Sequence, residues 1–246
     1  MSDWILHAAI ITLAFLYSSV GHAGASGYIA AMTLAGIAVP DIRPAALMMN
    51  LGVSVFGVWH FIRGKHLNWK LTWPFLVVAI PFAFLGGIIA IPQKPLSLIL
   101  GVVLAFSAIR FLLPSGSTEK EPTPPSIKIS LPVGALLGLL AGLTGTGGGI
   151  FLTPLLLMAR WAGPKTAAAT SIVFIAGNSL SGLIGFSVSG QPIPWHLASL
   201  LPFALVGGFA GSRMGSYHFS SSTVRRLLAI VLLVAAIKLL TKVFAS

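Results

Sequence analysis

The stretch GLTGTGGGIF, residues 142–151, sets Gly145, Gly147, Gly148 and Gly149 around Thr144 and Thr146 in an otherwise apolar run. A glycine cluster that ends one helix and begins another leaves the leading backbone N–H groups of the second piece without intrahelical partners. The macrodipole adds roughly half a positive charge at that end. Such an end suits an anion, and the threonine hydroxyls suit an oxyanion. A second stretch, GHAGASGYI at 21–29, offers Gly21, His22, Gly24, Ser26 and Gly27, with Ser18 and Ser19 just before it. Two such ends facing one another could share one ligand, as discontinuous helices do in transporters. His22 reads as a proton sensor or an anion ligand. Asn50, Thr170, Ser171 and Asn178 lie in apolar segments expected to pack on these tips, where they complete a site or serve as interhelical hydrogen bonds. For a single GxxG, close helix packing is the simpler explanation. A GTGGG run at the break of a duplicated hairpin favours the anion site.

Absent residue types narrow the chemistry further. The four acids, Asp3, Asp41, Glu119 and Glu121, fall at segment ends or in a polar linker, so no intramembrane carboxylate is available for sodium, calcium or a proton. With no cysteine there is no thiolate metal site, disulfide or redox pair, and no metal, cofactor or catalytic set is expected. GASG at 24–27 also fits the G-x-S-G pattern of rhomboid-type intramembrane serine proteases, but four residues match easily and the duplication is left unexplained. The excess of basic residues lies mostly in short loops, where it orients helices, and no basic patch with interleaved aromatics exists, so no nucleic-acid partner is implied.

The elements that position these groups must be membrane helices. The chain is 56% hydrophobic and 8% charged, with a mean hydropathy of +0.97. Soluble domains carry about 25% charged residues. Apolar segments fall at about 4–20, 26–39, 43–62, 71–91, 95–113, 129–143, 148–161, 166–188, 195–213 and 226–244. The first 26 residues could pass for a signal peptide, but Asp3 stands where a basic residue belongs, so they are expected to remain as mature structure. Tryptophans 4, 69, 73, 161 and 195 suit interfacial belts, and His60, His66, His196 and His218 suit segment ends at the interface.

A shift of 121 residues lays Gly21, Gly24 and Gly27 over Gly142, Gly145 and Gly148, and IPFAFLGGIIA (80–90) over LPFALVGGFAG (201–211). At this shift His22 faces Leu143. The chain therefore divides into a first transmembrane repeat at 1–113, a polar linker at 114–128 and a second repeat at 129–246, together one transport domain. The basic loop at 63–70 has a counterpart, SVSGQPIPWH, with no Lys or Arg, while the following loop carries Arg213, Arg225 and Arg226. That reversal is the mark of inverted repeats under the positive-inside rule. If the first two segments of each half form a hairpin, Arg63, Lys65, Lys70, Arg110, Lys120, Lys128, Arg160, Lys165, Arg213, Arg225 and Arg226 share the inside. An eight-helix count with parallel repeats divides the charges almost evenly. One continuous helix over 129–161 would run about 50 Å, well beyond a slab of roughly 30 Å. The expectation is an all-α polytopic membrane protein of two inverted-topology repeats, each a broken or re-entrant helix pair plus three full transmembrane helices. An eight-helix count with the first and fifth helices broken is the alternative. Both termini are expected outside the cytoplasm, and oligomeric state is left open.

The duplicated apolar chain, GLTGTGGGIFLTPLLL and KTAAATSIVFIAGN (165–178) resemble the sulfite exporter TauE/SafE family, also called TSUP transporters. The resemblance spans nearly the whole chain. It implies a multi-pass protein of a bacterial-type inner membrane that moves a small sulfur-containing oxyanion such as sulfite, thiosulfate or an organosulfonate. A passive anion channel is the alternative. The first tip departs from the fuller glycine motif, with Ala23, Ala25, Ser26 and Tyr28 where the second has Thr144, Thr146, Gly147 and Gly149.

Overall fold

The computed structural model describes residues 3–89 and 122–244, together with Ala105, Ala108 and Ile109. Apart from those three residues, the expected segment at 95–113 lies outside the described residues, as do most of the 114–128 linker and Lys94, Arg110, Glu119, Lys120 and Glu121.

A broken helix opens each half. In the first half α1 (Asp3–Ser19) is followed by α2 (Ala25–Leu34), α3 (Val39–Arg63) and α4 (Trp69–Ile88). In the second, α5 (Ile127–Thr144) is followed by α6 (Gly149–Met158) and α7 (Pro164–Val188). A 3-10 turn at Trp195–Leu200 leads into α8 (Leu201–Arg213), a π-turn at Met214–His218 and α9 (Ser221–Phe244). Proline begins α3 and α7, at the first-turn positions where its missing N–H costs nothing. Asn68 caps α4 by accepting from the Leu71 N–H at 3.2 Å. Among the described residues, five stretches are long and apolar enough to cross a bilayer: Pro40–Arg63, Trp69–Ile88, Ile127–Thr144, Pro164–Val188 and Trp195–His218. Outward-facing Val55 and Trp59 on α3, Val77 and Leu85 on α4, and Ile184 and Val188 on α7 give those helices apolar flanks for lipid. The molecule is an all-helical polytopic membrane protein.

Glycine faces set the packing. Gly134, Gly138 and Gly142 on α5 lie directly on the backbone of Phe75, Ala79 and Ala83 on α4. Gly207, Gly211 and Gly215 lie in the same way on Ile11, Phe15 and Ser19 at the end of α1. Both contacts are parallel, and four-residue spacing keeps each glycine row on one face. Helix α4 also runs parallel to α7, through Thr72–Thr170 and Ser181–Ile80. Helix α3 runs parallel to α8, through Gly52–Leu205 and His60–Ser212. Between the halves the sense reverses: Leu47 meets Gly182, Asn50 meets Ser179 and Gly57 meets Ile172, so α3 and α7 are antiparallel.

The molecule thus has two ends. Helices α4, α5 and α7 finish at the first end, where α1, α3 and α8 begin. The second end gathers Arg63, Lys65, Lys70, Lys128, Arg160, Lys165 and Arg213, at or beside the helix termini there.

Candidate functional site

The two breaks share one backbone pattern. Positive φ occurs at Gly21 (79°), Gly24 (109°) and Gly36 (78°), and again at Gly145 (71°), Gly148 (81°) and Arg160 (58°), each pair 124 residues apart, while Gly147 (72°) has no such counterpart in the first break. The turns closing the short limbs repeat at the same interval: Ala35, Gly36 and Ile37 donate to Ala31, Thr33 and Met32, as Ala159, Arg160 and Trp161 do to Leu155, Leu157 and Leu156. This corrects the register at the tips, where matching glycine to glycine gives 121. Conformation pairs Gly24 with Gly148, and His22 with Thr146 rather than Leu143. The 121 shift holds further along, where Gly86 and Gly207 each pack on the opposite half's long limb. The limbs are also less equal than the apolar segments imply, 17 and 18 residues before the breaks against 10 after each.

Both short helices begin halfway along a long one. Ala25 lies beside Asn50 of α3, and Gly149 lies against Ser171 and Ile175 of α7. Helix α6 then runs back along α7, since Thr153 meets Ser171 four residues further on in one and four back in the other. Neither Gly24 nor Gly148 supplies a side-chain cap. Only glycine takes such φ values without strain while a neighbouring chain presses close, and a Cβ on Gly148 would lie 2.8 Å from the Phe174 ring.

His22 joins the tips. Its Nε2 is 3.0 Å from the Gly149 carbonyl and 2.9 Å from Thr153 Oγ1, and Thr153 donates to Ser171 Oγ at 2.6 Å. A carbonyl only accepts, so the ring proton sits on Nε2, and Nδ1 is buried with no hydrogen-bond partner among the described residues. Asn50 joins them a second time: its Oδ1 accepts from the Ala25 N–H at 3.0 Å, and its Nδ2 donates to the Thr146 carbonyl at 3.2 Å. Asn178 donates to the Gly147 carbonyl at 3.4 Å, while its Oδ1 is buried and unpartnered among the described residues. The two asparagines hold the second tip's carbonyls through their amide groups.

Other expected residues sit differently. Thr144 donates to the Leu140 carbonyl at 2.7 Å and lies 2.8 Å from Thr146 Oγ1, so the Thr146 hydroxyl must donate to Thr144. Both protons are used within the tip, and Thr146 reaches an anion only by rotating away from Thr144. Thr170 pairs with Thr72 at 3.1 Å, on the second-end side of α7, and is not brought to the tips. Ser26 donates to the Tyr17 hydroxyl at 2.9 Å. A Cβ on Gly27 would meet Leu13 and Tyr17, so that glycine serves helix packing. His60, in the last turn of α3, is 2% exposed and lies 2.8 Å from Ser212 Oγ, so it packs into the α3–α8 joint. Trp161 is half-buried beside Phe75. Thr153, Ser179 and Arg43 also lie against the tips, and sequence reasoning missed them. Among the described residues no group of three His, Cys, Asp or Glu side chains gathers to hold a metal.

His22→Ala should remove one of the two links between the tips and lower stability by about 1–3 kcal/mol, the cost of leaving buried polar groups unpaired. His22→Gln, which retains a donor, should recover part of it, as read by thermal unfolding in detergent.

The family model described as sulfite exporter TauE/SafE matches residues 6–239. A Sinorhizobium fredii protein named "Probable membrane transporter protein y4hK" is 37% identical over 239 residues, covering 96% of this chain and 97% of its own length. Two others named as membrane transporters are each 28% identical: one from Methanocaldococcus jannaschii over 60% of this chain and 58% of its own, one from Bacillus subtilis over 46% and 41%. No solved structure matches. With the glycine breaks, the helical bundle and a match running nearly end to end, the chain belongs to the sulfite exporter TauE/SafE family and is a membrane transporter.

Proposed function

We propose that the protein is a secondary transporter that exports a small sulfur-containing oxyanion, such as sulfite, thiosulfate or an organosulfonate, bound between the two glycine tips. The observation that carries this reading is the meeting, at mid-height of α3 and α7, of two helix N-termini that start on left-handed glycines without side-chain caps. The ligand falls chiefly to the second tip, because Asn50 already takes the Ala25 N–H of the first. Gly147, Gly148 and Gly149 offer backbone N–H groups to it, with His22 opposite.

The halves are inverted-topology repeats in this reading, supported by the antiparallel α3 and α7 and by the matching glycine contacts of α5 on α4 and α8 on α1. The basic second end faces the cytoplasm of a bacterial-type inner membrane, which puts Asp3 and the N-terminus outside. A carrier is favoured over a passive channel because each end is bridged by a cation. Arg43 spans the first, and Lys165 donates to the Ser216 carbonyl at 3.1 Å at the second. Export follows from the potential, since each negative charge leaving a negative cytoplasm gains about 2.3 kcal/mol per 100 mV.

The test is binding and flux of sulfite, thiosulfate, sulfate and sulfoacetate with purified protein in liposomes. At least one anion should bind and cross, and Gly148→Val should weaken it about a hundredfold, equivalent to two charge-assisted N–H contacts of about 1.5 kcal/mol each. No binding of any of the four, or binding indifferent to Gly148→Val, overturns the proposal.

A further inference from the structure

Arg43, in the first turns of α3, is a cation with no acidic partner among the described residues. Its Nη2 shares two protons among the carbonyls of Gly86, Gly87 and Gly142, and its Nη1 donates to that of Ile89 at 3.3 Å. These carbonyls end α4 and lie in the last turn of α5, where the helix macrodipoles are negative. One side chain thereby fastens three helices together at the first end. The guanidinium lies 5.8 Å from the Phe186 ring centre, and its stem rests on the second tip, with Cγ 2.8 Å from where a Cβ on Gly145 would stand. Its Nε is buried and donates to nothing among the described residues.

Carbonyl dipoles neutralise a guanidinium incompletely, and they are weaker partners for it than an oxyanion. A half-buried cation with an unused donor, seated against Gly145 in the same tip as Gly148, therefore carries an unmet demand for negative charge beside the amides of that tip.

We propose that Arg43 is an anion-binding residue of the transport path: it draws the oxyanion in at the first end, and the oxyanion displaces the carbonyls of α4 and α5 and so opens the seam over the second tip. This deepens the oxyanion reading and rests on it. Asp41, two residues before Arg43, lies 3.9 Å from His196 and is not paired with the guanidinium.

The chain contains no cysteine, so a single Ser179→Cys substitution reports access to the second tip without background. Ser179 is buried and 3.5 Å from Asn50 Nδ2. Sulfite, thiosulfate, sulfate and sulfoacetate are each run separately, reading affinity by calorimetry and the labelling rate of the introduced thiol with a water-soluble methanethiosulfonate. Arg43→Gln should weaken binding at least tenfold and speed labelling at least tenfold, and Arg43→Lys should weaken binding less while keeping the charge. In the Arg43 protein a bound anion should change the labelling rate, and in Arg43→Gln it should not. Thermal unfolding of the Lys variant keeps the comparison valid if the Gln variant is unstable. Wild-type affinity and labelling in both variants overturn the Arg43 assignment alone, whereas failure of the unmutated protein to bind any of the four anions overturns the transport reading beneath it.

Discussion

Asn50→Leu is expected to reduce transport a hundredfold or more and to lower stability by about 2–6 kcal/mol. The leucine fills similar space but leaves the Ala25 N–H and the Thr146 carbonyl without partners, each costing about 1–3 kcal/mol. Because those two groups belong to different tips, one substitution loosens both. Asn50→Asp separates support from electrostatics. The carboxylate still accepts from Ala25, so folding should survive better, yet a negative charge now sits beside the proposed anion site and the Thr146 carbonyl loses its donor. Folded but non-binding Asn50→Asp protein is the expected outcome of calorimetry and size-exclusion chromatography in detergent. Full flux in liposomes from either variant would show that the amide bridge is dispensable.

Gly138→Leu should be more damaging still to assembly. Its Cβ would run into the Ala79 backbone on α4, and neither backbone can move without separating the whole glycine row from Gly134 to Gly142. Overpacking of ordinary side chains costs about 1–3 kcal/mol, and collision with a backbone exceeds that range. The expected result is loss of monodisperse protein. Gly163→Ala is the contrasting case, since nothing lies within 4 Å of a Cβ there, and it should change stability by no more than about 0.5 kcal/mol. Equal behaviour of the two variants would remove close packing as the reason for the α5 glycines.

The glycine clusters are legible because composition alone makes them anomalous in an apolar chain. Their pairing comes out three residues off from sequence, because identical letters are matched where backbone φ is what repeats. Gly24 caps a short helix as Gly148 does, while Gly27, its neighbour in the motif, only makes room for Leu13. Basic loops tell which way helices run but hide Arg43 among them: its partners lie 43 to 99 residues away, and its charge resembles any other at a segment end. The available signal is that the topology leaves Arg43 in the first turns of a helix at the end that also carries Asp3 and Asp41. The hydroxyl pair Thr144 and Thr146 looks like two donors, and local bonding uses both protons, which no spacing rule reveals.

The bond from Ala25 to Asn50 bears on how such a transporter could change its substrate. A tip whose leading amide is already engaged acts as a fixed bearing for the other. On the proposed reading, mutation can then vary the ligand held at Thr146 through Gly149 while the first tip keeps the assembly in register, so that one tip is constrained by folding and the other is open to selection for chemistry.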